Sequence, residues 1–173
     1  MAGCCDSETS HTRETVVLAL LLLIVAANGA PVLAHAMLGE RGAAPIDFGW
    51  RLADGRRLLG DAKTWRGLVA ALAASTALAP LLGLSPLLGL AAGALAMAGD
   101  LLASFVKRRL GRPPSSRAAV LDTVPESLLP ALGLMRALQL GGGEILVLIV
   151  LFGLLDALVS PLLYRLRIRR RPW

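Results

Sequence analysis

The sequence predicts an all-α integral membrane protein with five transmembrane helices, for three reasons. First, 55% of its 173 residues are hydrophobic, and a mean hydropathy of +0.66 is too high for an ordinary soluble domain. Second, the chain contains five apolar runs, most of them close to the roughly 20 residues that cross a bilayer core. Third, its basic residues are concentrated in alternate segments between these runs.

The predicted spans cover residues 16–38, 67–84, 87–106, 127–140 and 145–163, the fourth being short. The first is too long for a cleaved secretory signal, and the residues before it carry Asp6, Glu8 and Glu14 instead of a basic start. It is therefore predicted to be retained. Residues 1–173 are predicted to form a single transmembrane domain.

The distribution of basic residues predicts the orientation. Sixteen of the 18 Lys and Arg residues lie between spans one and two, between spans three and four, or after span five. If the spans alternate in direction, these segments share one side, and an excess of basic residues marks the cytoplasmic side. The prediction is a multi-pass protein of the cell membrane, inner or plasma, with its N-terminus outside, its C-terminus cytoplasmic, and an active site facing the cytoplasm.

The net charge of +6 does not indicate a nucleic-acid partner. Most of the charge lies in short loops beside predicted spans, and no basic strand with interleaved aromatic residues accompanies it. Cys4 and Cys5 are adjacent and have no partner elsewhere in the sequence, so neither a disulfide framework nor a zinc site is indicated.

The first candidate site is the stretch "GDLLASFVKRRLG", residues 99–111. On a helix, Asp100, Ser104 and Lys107 fall at i, i+4 and i+7 on one face, with Arg108 at its margin. An acid inside a membrane helix is costly unless it faces water or a partner, which marks Asp100 as a candidate functional residue. The alternative is interhelical packing of Asp100 against an arginine, with the basic residues acting as membrane-interface anchors.

The second candidate site is the loop "PIDFGWRLADGRRLLGDAKTWRG", residues 45–67. Its glycines let backbone N–H groups approach a phosphate, and aspartate together with lysine suits a metal-bound polyphosphate. The alternative is a solvated charged loop. The chain has 16 Arg but only two Lys, one here at Lys63 and one in the first stretch at Lys107. This scarcity favours a compact phosphate-binding charge at both positions.

Both stretches closely resemble the corresponding segments of the CDP-archaeol synthases, integral membrane cytidylyltransferases related to the CDP-diacylglycerol synthases. The segment "ANGAPVL" at residues 27–33 and the terminal Pro172-Trp173 extend the resemblance over nearly the whole chain. It implies five spans and a charged cytoplasmic cavity. It also implies a reaction in which a membrane lipid phosphate attacks the α-phosphorus of CTP, giving CDP-lipid and pyrophosphate, with Mg²⁺ as cofactor. The partners are then CTP, the lipid phosphate and the lipid bilayer.

Within this resemblance, the site residues are assigned by chemical type, with carboxylates for metal and basic residues for phosphate. The predicted catalytic residues are Asp100, Ser104, Lys107 and Asp122, and the predicted metal ligands are Asp100, Asp122 and Glu126. The predicted substrate-binding residues are Asp61, Lys63, Thr64, Arg56, Arg57 and Arg108. Both lysines and Arg108 are expected at the triphosphate, and Arg56 and Arg57 at the lipid phosphate.

One position departs from the family pattern. The family closes the loop after the basic cluster with D-Q-x-D, whereas this chain reads "DTVPESLLP", with Pro125 at the second acid. Asp122 with Glu126 at i+4 re-makes a carboxylate pair; the alternatives are a different substrate or lost catalysis. The second function class is therefore a non-catalytic or transport relative that binds anionic lipid headgroups in the same basic cavity.

Two further charges lie within the predicted spans, Arg136 in the fourth and Asp156 in the fifth. Counted from the cytoplasmic ends, both lie about 12–13 Å deep at 1.5 Å per residue. Because buried opposite charges in lipid seek each other, an Arg136–Asp156 contact is predicted. The alternative is that Arg136 snorkels outward while Asp156 bonds to the backbone or joins the metal site.

Overall fold

The structure is a computed structural model that describes residues 3–112 and 119–165. Within these ranges the chain forms five α-helices and one short 3₁₀-helix: α1 (Gly3–Leu38), α2 (Trp65–Leu78), the 3₁₀-helix (Ala79–Leu82), α3 (Pro86–Arg109), α4 (Ala119–Gly133) and α5 (Gly142–Arg165). This confirms the all-α class. Arg117, the arginines after residue 165 and Pro172-Trp173 lie outside the described residues.

Four helical segments of the described chain are long and apolar enough to cross a membrane: Arg13–Leu38, Trp65–Leu82, Pro86–Arg109 and Gly142–Val159. They correspond to predicted spans one, two, three and five, and they support a membrane protein. Helix α4 has 15 residues, which extend over about 22 Å and fall short of a core of roughly 30 Å. The five-span count therefore stays a prediction.

Helix α1 supplies much of the core through one face. Leu20, Leu23, Ile24 and Ala27 are fully buried and fall at the i, i+3, i+4, i+7 spacing of a single helical face. This face packs against α2 and α3. Helix α1 therefore supports both α2, which follows the first charged stretch, and α3, which contains the second.

Helices α2 and α3 form a tight hairpin that depends on small residues. Pro80 stands in the 3₁₀-helix that ends α2, and Gly83 turns the chain with φ +74°. A Cβ at Gly89 of α3 would lie 2.5 Å from the carbonyl oxygen of Ser75, and one at Gly93 would collide with Ser75 Oγ. Glycine is required at these positions because the two backbones approach so closely.

Helix α4 does not coincide with the predicted fourth span. The prediction placed the span at residues 127–140, whereas the helix begins at Ala119 and ends at Gly133. The start of the helix carries two acids, which interrupt the apolar run on which the prediction depends. The end of that run is a turn after the helix, in which Leu134 and Leu140 are both only 6% exposed. Apolarity in that turn reflects burial rather than helical continuation.

The predicted Arg136–Asp156 ion pair is wrong. Arg136 lies in the exposed turn after α4. Asp156 lies on α5, three residues after Gly153, and a Cβ at Gly153 would lie 3.1 Å from Thr123 near the start of α4. Thr123 and the end of α4 are separated by about 15 Å of helix. The depth estimate failed because it assumed that α4 continued to residue 140.

Candidate active site

Three charged groups meet where the segment joining α1 to α2, residues 39–64 and hereafter the α1–α2 loop, reaches α3 and α4. Lys63 places its Nζ 2.5 Å from Oδ1 and 2.6 Å from Oδ2 of Asp100. Glu126 of α4 lies close enough to interact electrostatically with both Lys63 and Asp100. The three side chains therefore form one electrostatically connected group.

A second pair lies two helical turns further along α3. The Nζ of Lys107 is 2.5 Å from Oδ1 of Asp122, and Ser104 is buried on α3 between Asp100 and Lys107. Because α4 runs antiparallel to α3, Asp100 meets Glu126 while Lys107 meets Asp122. Asp100, Ser104 and Lys107 therefore share one face of α3, as predicted, and both charged residues of that face have partners on neighbouring segments. Lys63, Asp100, Lys107, Asp122 and Glu126 are hereafter the lysine–carboxylate cluster.

The surroundings of Lys63 keep it charged. Burial alone lowers the pKa of its ammonium group, but the charge and hydrogen bonds of Asp100 raise that pKa, with further contributions from Glu126 and Asp122. The net result is a pKa above its ordinary value. Lys63 is therefore an ammonium ion at neutral pH, which is the form that binds phosphate.

The close approach of α3 and α4 at the cluster depends on Gly99. A Cβ at Gly99 would collide with the carbonyl oxygen of Pro125 and would lie 2.5 Å from its carbonyl carbon and 2.7 Å from the backbone nitrogen of Glu126. Pro125 is the residue at the second acid position of the family pattern. Its backbone forms part of the helix contact, and the next side chain, Glu126, is thereby brought to Asp100.

The α1–α2 loop is organised around Asp47, whose side chain is fully buried. Its Oδ1 accepts hydrogen bonds from the Gly49 nitrogen at 3.1 Å and from Arg57 Nη2 at 2.5 Å. Its Oδ2 accepts from the nitrogens of Leu59 at 3.0 Å and Gly60 at 2.9 Å. Gly60 has φ +102°, which glycine adopts without a steric penalty. A single carboxylate thus closes the loop into a defined shape.

Two arginines fix this loop to the C-terminal end of α3. Arg109 donates through Nη1 to Asp54 Oδ2 at 2.6 Å and through Nη2 to the carbonyl of Arg57 at 2.7 Å. In return, Arg56 Nη1 donates at 2.8 Å to the carbonyl of Arg109. That carbonyl is one of those left without an intrahelical partner at the end of a helix. Arg56 of the loop therefore caps the end of α3, and Arg109 of α3 holds the loop in place.

The remaining predicted substrate-binding residues have local partners of their own. Arg57 also pairs with the exposed Asp61, and Thr64 Oγ1 accepts a hydrogen bond from the Gly67 nitrogen at 3.1 Å and so caps the start of α2. Arg108 is buried at the end of α3. The predicted contacts of these residues with substrate stay predictions.

Three residues that shape the site were not among the predicted site residues: Asp47, Gly99 and Arg109. Asp47 is one of three aspartates in its loop, and no spacing shows which of them is buried. Gly99 directly precedes Asp100. A glycine beside a candidate functional acid is the sequence signal that could have indicated a close contact between helices at this position. The docking role of Arg109 depends on contacts 52 to 55 residues away.

The described residues contain no group of three or more His, Cys, Asp and Glu side chains that could hold a metal ion. The carboxyl groups of Asp100 and Glu126 do lie close together. Mg²⁺ in proteins is commonly held by one or two carboxylates plus substrate phosphates. The pair therefore fits a magnesium ion that arrives with a nucleotide, and the larger ligand set that includes Asp122 stays a prediction.

Replacing Asp47 is expected to loosen the α1–α2 loop in a pH-dependent way. Burial raises the pKa of Asp47, but the hydrogen bonds from Arg57 and from three backbone N–H groups lower it to well below its ordinary value. The stabilising contribution of a carboxyl group with a lowered pKa is fully present above its unfolded value of about 3.9 and is lost as the pH falls toward the folded value.

We therefore expect Asp47→Ala to accelerate proteolytic cleavage within residues 45–60 at neutral pH, and its loss of unfolding temperature to diminish below about pH 3.9. The matched control is Asp61→Ala, which removes the exposed partner of the same arginine and should change cleavage little. Equal cleavage of the Asp47→Ala protein and the unsubstituted protein would show that the loop does not depend on this carboxylate.

These features define a class of protein: a helical membrane protein whose polar site lies where a basic, glycine-containing loop meets the ends of two helices. A family model described as CarS-like, CDP-archaeol synthase, matches residues 14–173. The chain is 35% identical over 158 residues to the CDP-archaeol synthase of Pyrococcus furiosus, covering 85% of this chain and 90% of the relative. It is 38% identical over 165 residues to that of Pyrobaculum calidifontis, covering 91% and 98%.

A solved structure described as "Structural insight into an intramembrane enzyme for archaeal membrane lipids biosynthesis" is also similar to this chain. The two share 36% sequence identity and a TM-score of 0.68, over 82% of this chain and 90% of the other. The chain belongs to the CDP-archaeol synthase family. The resemblance predicted from its two charged stretches is thereby confirmed.

Proposed function

We propose that this chain transfers a cytidylyl group from CTP to the phosphate of a membrane lipid, giving CDP-lipid and pyrophosphate. The observation that carries the proposal is the convergence of both lysines of the chain on one set of carboxylates, in a member of the CDP-archaeol synthase family. The name of the relatives points to an archaeol-type lipid, with isoprenoid chains in ether linkage, as the substrate.

In the proposed reaction, an oxygen of the lipid phosphate forms a bond to the α-phosphorus of CTP, and the bond from that phosphorus to the oxygen bridging to the β-phosphate breaks. The pyrophosphate leaves with the bonding electron pair. Because the substrate supplies the nucleophile, the protein has to hold two anions in line and stabilise charge on the leaving group. Lys63 and Lys107 bind the triphosphate, and their carboxylate partners fix the direction of each ammonium group.

The proposed cofactor is Mg²⁺, held by Asp100 and Glu126 together with the phosphates of CTP. When bound, it neutralises part of the triphosphate charge. The two carboxyl groups already lie close together, so both would be available as ligands to one cation. Asp122, held by Lys107, completes the acidic side of the cluster.

The reaction is tested with purified protein in detergent, labelled CTP, Mg²⁺ and a panel of lipid phosphates that contains isoprenoid ether lipids and diacyl phosphatidic acid. We expect label in the ether-lipid product together with released pyrophosphate. Transfer to phosphatidic acid alone would assign a different lipid. Binding of lipid phosphates without any transfer by the folded protein would establish the non-catalytic alternative.

We also propose the orientation derived from the basic residues, with the N-terminus outside and the lysine–carboxylate cluster on the cytoplasmic side. The two cysteines of the chain, Cys4 and Cys5, are both N-terminal and so provide a direct test. A membrane-impermeant thiol reagent should label them in intact cells. Labelling that requires broken cells would reverse the proposed orientation.

Replacing either lysine is expected to weaken CTP use selectively. Lys63→Ala and Lys107→Ala should each raise the KM for CTP about tenfold or more, as expected for loss of a charge-assisted hydrogen bond, with a smaller change in the KM for lipid. Arginine at either position should not restore the KM fully, because its planar guanidinium differs from a compact ammonium.

The matched control for the lysine variants is Arg13→Ala, which removes a basic side chain that pairs with Glu144 at the opposite end of the helices and should leave both KM values unchanged. Full activity in both Lys→Arg variants would contradict the argument from lysine scarcity. A lower kcat with an unchanged KM would assign the lysines to the chemical step instead.

A further inference from the structure

The α1–α2 loop and the first residue of α2 together carry an exposed, mainly aromatic surface that the proposed reaction does not use. Phe48 and Trp50 are 74% and 75% exposed, and Leu52 and Trp65 are 43% and 44% exposed. These four residues are hereafter the loop patch. The whole chain has seven Phe, Tyr and Trp residues, and three of them belong to this patch. Such a concentration of exposed aromatic residues is unfavourable in water and marks a contact surface.

The loop patch lies at the level where α2 begins. The ring centroids of Phe48 and Trp65 are 6.4 Å apart, and Trp65 is the first residue of α2 and of its candidate membrane span. Trp50 is two residues from Phe48, so their Cα atoms lie within about 7 Å of each other. The headgroup region on each side of a bilayer is itself only about 5–7 Å thick. The patch therefore falls within reach of the membrane interface.

The backbone of the loop holds these rings in place. Phe48 has φ +44°, a conformation that bulky residues rarely adopt. Asp47 fixes the turn on both sides of it, because its Oδ1 accepts from the Gly49 nitrogen at 3.1 Å and its carbonyl accepts from the Trp50 nitrogen at 2.7 Å. A strained conformation retained by a buried carboxylate indicates a defined role for the exposed side chain.

We infer that the loop patch inserts into the interfacial region of the bilayer, so that the α1–α2 loop lies on the membrane surface instead of extending into water. Tryptophan rings prefer the headgroup level. Arg51 is exposed between Trp50 and Leu52; its Nη1 donates to the carbonyl of Gly55 at 2.9 Å, and its positive charge favours a surface of lipid phosphates. The inference does not depend on the proposed reaction, and it sets the loop that carries Lys63 at the depth of lipid headgroups.

The test uses the natural tryptophans, which are Trp50, Trp65 and Trp173. Phenylalanine at two of these positions leaves a single tryptophan in the full-length protein, which is reconstituted in nanodiscs with or without lipids that carry a nitroxide near the top of the acyl chain. We expect Trp50 emission to be blue-shifted and to be quenched by the nitroxide lipid to the same extent as Trp65, with little quenching by acrylamide in the aqueous phase.

Strong quenching of Trp50 by acrylamide with none by the nitroxide lipid would overturn the inference, since the loop would then project into water. Protection of Trp50 from acrylamide only after addition of CTP would also overturn it, because the ring would then face the nucleotide. A second variant checks the contact between the rings. In the protein whose only tryptophan is Trp65, Phe48→Asn should increase acrylamide quenching, and asparagine tolerates the positive φ at position 48.

Discussion

Asp100→Asn is expected to abolish cytidylyl transfer, with a loss of turnover of at least about 10²-fold, while the protein remains inserted and monodisperse. Asparagine keeps the size of the side chain and one oxygen for Lys63, but it removes the negative charge that the proposed magnesium site requires. The measurement is turnover with labelled CTP, together with size-exclusion chromatography and thermal unfolding in detergent.

Some loss of stability accompanies this change, because Lys63 loses its carboxylate partner. It should stay below the roughly 3–5 kcal/mol typical of a fully buried pair, since the two side chains are 21% and 16% exposed. The double variant Lys63→Gln with Asp100→Asn separates stability from catalysis, because a neutral pair of amides forms hydrogen bonds without leaving an unpaired charge. We expect it to regain stability and to remain inactive.

Recovery of turnover by the double variant would show that Asp100 acts only through packing. Glu144→Gln is the matched control, because it changes an acid at the opposite end of the helices, where an amide still accepts the hydrogen bond from the Gly141 nitrogen. Its turnover should equal that of the unsubstituted protein. Turnover of Asp100→Asn at the unsubstituted level would remove Asp100 from the site.

Gly99→Ala should damage stability and activity together. The added methyl group meets the backbone of Pro125 and Glu126, which cannot move aside as a side chain can, so α3 and α4 must separate. We expect the free energy of unfolding to fall by about 1–3 kcal/mol and turnover to fall with it, because Glu126 moves away from Asp100. The measurements are thermal unfolding and turnover over a range of Mg²⁺ concentrations.

The matched control is Gly29→Ala, a helical glycine of α1 at which a Cβ meets no atom within 4 Å. Alanine there should leave turnover unchanged and stabilise the helix by about 0.5–1 kcal/mol. If Gly99→Ala behaved like this control, the contact of α3 with α4 would not position Glu126. A higher Mg²⁺ requirement specific to Gly99→Ala supports the assignment of Glu126 to the metal.

Periodicity and composition predicted α3 well, because its apolar face and its charged face obey the same helical spacing. Asp100, Ser104 and Lys107 share a face in the sequence pattern and share one in the structure. The same reasoning failed for α4, where two acids at the start of the helix resembled a loop and a buried turn resembled a helix. A run of apolar residues indicates a segment that is removed from water. It predicts a membrane helix only where the backbone of that segment is also helical.

By itself, the sequence determined the membrane class and the family and indicated the residue types of the candidate site, because these depend on composition and on short motifs that local spacing preserves. Only the tertiary structure decided which carboxylate meets which lysine, which of three loop aspartates is buried, and that Arg56 caps α3. Those pairings join residues 13 to 53 positions apart. Electrostatic and packing energies act through space, so residues distant in the chain become partners only when the helices pack.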